Sequence, residues 1–273
     1  MSEQTTPASA LVALPRPPRF LKSARPKRIW SYLLSSLAEA QLDYASALIG
    51  LALLAEKVDA WRSHVDAIRK EGGRYDVDSN GGSMESDESM AERRARNEVL
   101  KDLDQAGLTV TTAARIRVID RLASQGELFS PFDLLEQAHE GERLPRLPPW
   151  TMTSAEKRLW QDLQPLLEQS GFDFSSAGLA IGLLCAAMAD WYEARQWLAD
   201  HKGKHFAVSY KTGRTYEVSA SYNRAKIARQ IRELLKRNGL TVYACAKHKA
   251  ISKGRVLSAE LAEILMFADQ RAD

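Results

Sequence analysis

K-R-I-W-S-Y-L-L-S-S-L, from Lys27 to Leu37, returns 130 positions later as K-R-L-W-Q-D-L-Q-P-L-L, from Lys157 to Leu167. Trp30, Leu33, Leu34 and Leu37 follow the i, i+3, i+4, i+7 spacing of an amphipathic helix, and Trp160, Leu163 and Leu167 repeat the stripe. At the same offset Asp43 falls on Asp173 and Ser46-Ala47 on Ser176-Ala177. At an offset of 132, I-G-L from Ile49 falls on I-G-L from Ile181, Gly81 falls on Gly213, and G-L-T-V from Gly107 falls on G-L-T-V from Gly239. Arg115 and Arg117 then fall on Lys247 and Lys249. A two-residue insertion in a loop just before Ile181 reconciles the two offsets. A repeat this long reads as a domain duplication, because solenoid periods are roughly 20–50 residues.

Working outward from the repeat, each copy has a second, Ala- and Leu-rich helix, about 44–69 and about 175–200. Asp43 or Asp173 stands before it as the expected N-cap. Two helices on a short link read as an antiparallel hairpin. In the second copy Phe206, Val208, Tyr210 and then Tyr216, Val218 alternate around Gly213, a β-hairpin signature. In the first copy the same place holds R-Y-D-V-D-S-N-G-G-S. Its flanks are acidic and poor in strand formers, so a short or disordered hairpin is expected. A third helix follows, with Val99 and Leu103, or Ile227, Ile231 and Leu235, as its buried face. Gly107 and Gly239 end it in the left-handed conformation.

The expected fold is mainly α: two tandem helical-hairpin units, each with a small β-hairpin insertion and a third helix. The chain divides into a disordered basic arm (1–25), a first unit (26–122), a short helix begun by Ser130 and Pro131 with a Pro-rich linker (123–150), a second, basic unit (151–255) and a C-terminal helix (256–273). At 273 residues, each unit is large enough to bury its own core.

Composition narrows the function. The chain is 45% hydrophobic and 27% charged, ordinary for a globular protein. Its two cysteines, Cys185 and Cys245, make no disulfide framework; Cys185 reads as a core residue and Cys245 as a loop thiol, as in a reducing cytoplasm. No apolar run approaches the roughly 20 residues that span a bilayer, and the start lacks a basic n-region, so neither a membrane span nor a signal peptide is expected. The net charge of +3 is unevenly spread. From His201 to Arg255 there are fourteen basic residues and two acidic ones; from Glu71 to Glu92 there are seven acidic residues and only Arg74. Segregation of this kind points to nucleic acid, or to contact between subunits of opposite sign.

The ordered set resembles one family of phage terminase small subunits: a helix with a Trp (Trp30, Trp160), a long helix, a hairpin turning at Gly (Gly81, Gly213), a third helix, then G-L-T at Gly107 and Gly239 followed by a small residue and Arg115 or Lys247. The family's usual Pro after G-L-T is replaced by Val110 and Val242. Members typically carry one unit, and this chain carries two. The resemblance implies a non-enzymatic protein of the host cytoplasm. Such a protein forms a homo-oligomeric ring, binds viral double-stranded DNA and brings it to the large terminase subunit. A structural protein of a phage particle that keeps the fold without specific DNA recognition is the alternative.

The residues themselves place the DNA surface on the third helix of the second unit. Arg229, Arg232 and Lys236 lie at i, i+3, i+7 on one face, with Arg224, Lys226 and Arg237 beside them. Lys211, Arg214, Lys247 and Lys249 are expected nearby, and such a ladder meets phosphates without reading sequence. Phe206, Tyr210, Tyr216 and Tyr222 could stack bases, but packing the hairpin onto its helices is the plainer role. There is no P-loop, no G-x-S-x-G and no HExxH. No cofactor, metal site or catalytic group is expected.

Overall fold

The computed structural model describes residues 15–113, 116, 144–170 and 172–241. The first fourteen residues of the arm, the helix at Ser130, Arg115, Cys245, Lys247, Lys249 and the C-terminal helix lie outside the described residues. The rest is mainly helical with two small antiparallel hairpins. In order come α1 (Ala24–Glu39), a 3-10 turn (Ala45–Ala47), α2 (Leu48–Glu71), β1 (Tyr75–Val77), β2 (Ser83–Glu85) and α3 (Asp87–Gln105). Then come α4 (Ser154–Ser170), α5 (Gly178–Asp200), β3 (Phe206–Val208), β4 (Thr215–Glu217) and α6 (Ser219–Arg237).

Two of the helices start at side-chain caps. Thr153 and Glu156 form a capping box on α4: the Thr153 N–H donates to Glu156 Oε2 at 2.8 Å and the Glu156 N–H to Thr153 Oγ1 at 2.9 Å. On α3, Ser86 Oγ accepts from the Ser89 N–H at 3.2 Å. Asp43 and Asp173 are not N-caps, contrary to expectation. Each accepts from the N–H two residues on, of Ala45 and Ser175, at 2.9 Å, which is an Asx turn. The helices begin later, after Ala47 (φ −98, ψ 1) and Ala177 (φ −92, ψ 7).

The two halves share further backbone detail. Gly73 donates to Ile68 O and Gly203 to Leu198 O, five residues back in each case. Ser86 donates to Arg74 O at 3.1 Å and Val218 to His205 O at 3.0 Å. Gly81 and Gly213 turn the hairpins at φ 68 and 65. Gly107 and Gly239 have φ 75 and 71. Leu108 then donates to Leu103 O and Leu240 to Leu235 O, closing each helix in a Schellman arrangement. Trp30 and Trp160 are both buried, and neither indole N–H meets an acceptor among the described residues.

The two offsets do not meet in a loop just before Ile181, as the sequence suggested. Ile181 lies inside α5, where no loop exists. The offset of 130 persists to Gly73 and Gly203. One extra residue precedes β3 and a second widens its turn, so that β2 and β4 stand at 132. The I-G-L match is therefore not structural. The offset of 130 also runs backward: L-P-R at 14–16 falls on L-P-R at 144–146, and Phe20 on Trp150.

The first hairpin is short, as expected, with strands of three residues each, the same length as those of the second. Tyr75 pairs with Glu85 and Val77 with Ser83, as Phe206 pairs with Glu217 and Val208 with Thr215. Its acidic turn is ordered by partners. Asp78 Oδ1 accepts from the Asn80 and Gly82 N–H groups, both at 2.8 Å, and Tyr216 Oη donates to Asp78 Oδ2 at 2.5 Å. Lys204 Nζ donates to the carbonyls of Asn80 and Gly81, and Ser83 Oγ accepts from the Ala220 N–H at 2.7 Å.

One apolar core draws on both halves, from Leu21 to Leu234. The reason lies in α5. Every residue from Gly178 to Ala187 is buried, so this stretch must be enclosed all round, and α4 and α6 cover only part of it. Tyr32 closes over Gly178, and Pro148 and Trp150 approach Gly182 so closely that a Cβ would meet them at 2.7 and 2.8 Å. A small second cluster, Leu198, Ala207, Val218 and Ala220, lies under the second hairpin.

Candidate nucleic-acid interface

On α6, Ala220, Asn223, Ile227 and Leu234 are buried, with Ile231 and Leu235 half-buried against the core. Leu234 thus sits deeper than Leu235, which the sequence placed on the buried face. Arg229, Arg232 and Lys236 all point outward and are exposed. Arg232 Nε reaches the Ala228 carbonyl of its own helix at 3.4 Å. Lys226 is half-buried with Nζ 5.5 Å above the Tyr222 ring, and Arg224 is half-buried. Lys211 and Arg214 are exposed on the turn between β3 and β4.

Arg237 stands apart from this set. Its Nη1 pairs with Asp104 Oδ2 at 2.9 Å, and its carbonyl accepts from Thr111 Oγ1 at 2.9 Å. It joins α6 to the first half instead of facing outward with Arg229. Lys247 and Lys249 lie outside the described residues.

The aromatic side chains correct the expectation that they pack the hairpin. Phe206 is 60% exposed, Tyr210 94% and Tyr222 53%; only Tyr216 turns inward, to Asp78. Alternation explains it: Ala207 takes the buried position of β3, which leaves Phe206 and Val208 on the outer face. Phe206, Tyr210 and Tyr222 are therefore exposed, as are Lys211, Arg214, Arg229 and Arg232.

The third helix of the first half is different. Arg93 reaches Glu85 at 2.8 Å and Asn223 Oδ1 at 2.6 Å, and Arg96 pairs with Asp190. These arginines belong to a buried ionic seam that the sequence reading missed. Arg74 Nη1 lies 3.0 Å from Glu92 Oε2, and its Nη2 lies 2.7 Å from Asp190 Oδ1. The Trp61 indole N–H donates to Glu92 Oε1 at 2.6 Å. Burial alone would raise the Glu92 carboxyl, but Arg96, Arg74 and the Trp61 N–H outweigh it and hold the group down at about 2. Asp190 is pushed the other way, up to about 6, by burial that Arg74 and Arg96 only partly offset. A signal was present: Asp190 is the only charged residue between Gly178 and Trp191.

A cleft of about 410 Å³ opens over this seam, lined by Arg69, Arg74, Glu156, Asp190, Tyr192 and Glu193. Its charges largely satisfy one another, with Arg62 on Glu156 at 3.2 Å and Arg74 on Asp190. The acidic run from Asp76 lacks the full spacing of a calcium loop, since Asp87 stands where the closing Glu is needed. The segment closes as a hairpin instead, with Asp76 opposite Met84 and Asp78 bound to Tyr216. Among the described residues, no group of three or more His, Cys, Asp or Glu gathers to hold a metal. His201 stacks on Trp197 with ring centroids 3.8 Å apart, and His205 bonds Ser221. Cys185 is buried, and burial pushes its thiol up to about 12. Among the described residues, no helix is long and apolar enough to cross a membrane.

No family model matches the chain, and no curated protein or solved structure matches it.

Proposed function

We propose that the chain is a tandem duplication of one helix–helix–hairpin–helix unit. In this reading it is a homo-oligomeric terminase small subunit that binds duplex DNA and presents it to a large terminase subunit in phage packaging, without catalysis of its own. The carrying observation is the outward surface of the second half. There Lys211, Arg214 and Arg232 are exposed, as are Tyr210 and Tyr222. The matched caps, Asx turns and glycine conformations of the two halves support the duplication.

The second half is the DNA-binding one in this reading, because Arg74, Arg93 and Arg96 of the first are committed to internal pairs. The same commitment favours the alternative, a structural protein of a phage particle without specific DNA recognition. Electrophoretic mobility of duplex DNA with the purified chain separates the two. A retarded complex that dissolves as salt is raised supports packaging, and unretarded DNA at low salt supports the structural role.

A further inference from the structure

The contact between the halves is one-sided. Trp150 of the second half packs edge-on against Trp61 of the first, with centroids 5.3 Å apart. Gln230 Nε2 donates to Asn97 Oδ1 at 2.6 Å. Each of these residues has a counterpart in the opposite half, and the counterparts do not pair within the chain. At the offset of 130, Trp61 corresponds to Trp191 and Trp150 to Phe20. Trp191 is half-buried, with Tyr192 and the Arg195 guanidinium against its ring, and Phe20 is 42% exposed. At the offset of 132, Asn97 corresponds to Arg229 and Gln230 to Glu98. Both are exposed and make no ion pair or hydrogen bond within the described residues.

The long helices show the same difference. Leu179 and Leu183 of α5 are each 1% exposed in the shared core, while their counterparts on α2, Ile49 and Leu53, are 70% and 51% exposed. Between those two, a Cβ placed on Gly50 would meet nothing within 4 Å.

A contact that uses different surfaces on its two sides leaves one of each unused at the ends of a two-unit chain. Such a heterologous contact propagates from copy to copy, and closes into a ring when its rotation divides a full turn. We propose that a second copy of this chain covers the unused surfaces. Phe20 of one chain seats on Trp191 of the next, and Glu98 of one pairs with Arg229 of the next, repeating between molecules the contact that joins the halves within one. The proposal rests on the duplication reading above. The pairing is complementary: an aromatic ring again meets a Trp, and the amide pair Asn97–Gln230 becomes an ion pair. Arg229 then serves assembly and leaves Lys211, Arg214 and Arg232 to phosphate.

The test is the native mass of the purified full chain without DNA. The wild type is expected at a multiple of 30.5 kDa. Glu98→Arg and Arg229→Glu, both at exposed positions, should each reduce the mass to that of one chain without changing the circular dichroism. The double charge swap should restore the assembly, and Phe20→Ala should weaken it. A wild-type monomer would overturn the proposal and leave the α2 face to the chain's own residues 117–143 or 242–273. An oligomer indifferent to both single charge reversals, or a double swap that fails to reassemble, would overturn it equally. With no DNA present, a monomer would also remove the homo-oligomer from the reading above but not its DNA binding, and loss of DNA binding by an intact assembly would strike the DNA-binding reading alone.

Discussion

Glu92 Oε2 lies 3.0 Å from Arg74 Nη1 in a seam where both side chains are buried. Glu92 is also the carboxylate shared by Arg96 and the Trp61 indole. Together with Asp190 it offsets the charge of two largely buried guanidinium groups. Removing one partner of a buried pair leaves an uncompensated charge, which costs about 3–5 kcal/mol. Glu92→Ala should lower the unfolding free energy in urea by that amount. A loss under about 1 kcal/mol, the range of an exposed pair, would show that Glu92 does not act as a buried ionic partner of Arg74 and Arg96.

The same carboxylate sets an acid limit. Its pKa lies at about 2 in the fold against 4.5 for the free side chain. A depressed carboxylate contributes stability that is full above the unfolded value and is lost as pH falls through the folded one. The stability difference between the wild type and Glu92→Gln should shrink as pH falls from about 4.5 toward about 2. Urea titrations of both proteins across that window check it. A difference constant throughout would mean that Glu92 is not ionised in the fold.

Gly107 and Gly239 offer a paired test of the repeated helix end. Both have positive φ; a Cβ would meet Ile116 Cδ1 at 2.6 Å in one case and Phe172 Cε2 at 3.1 Å in the other. Each Gly→Ala change should destabilise by about 1–2 kcal/mol from the left-handed backbone alone, with a further loss from contact. Thermal unfolding that leaves either variant unchanged would refute the cap.

Much of this architecture was legible because local chemistry determines it. The Trp30 and Trp160 stripes are set by helical periodicity, and the glycine caps by the need for positive φ. What escaped were relations between the halves. The Asp78 loop looks repulsive as a string of letters. It is ordered by Tyr216 and Lys204, which lie more than a hundred residues away. Arg237 belonged by spacing to the outward ladder, but Asp104 draws it inward. Trp150 read as part of a Pro-rich linker, with no periodicity to show that it packs against Trp61. The shared core follows from the all-round apolarity of α5, which periodicity cannot assign to a partner.

The most direct test of the account is the salt dependence of duplex DNA binding by the full chain. Each phosphate neutralised contributes about −0.9 to the log–log slope of affinity against salt. The wild type should show a steep negative slope. Replacing Lys211, Arg214 and Arg232 together by Ala should flatten it by roughly 2–3 units, with unfolding and native mass unchanged because all three side chains are exposed. A slope that this triple variant leaves untouched, or a wild-type chain that does not bind duplex DNA at low salt, would contradict the account.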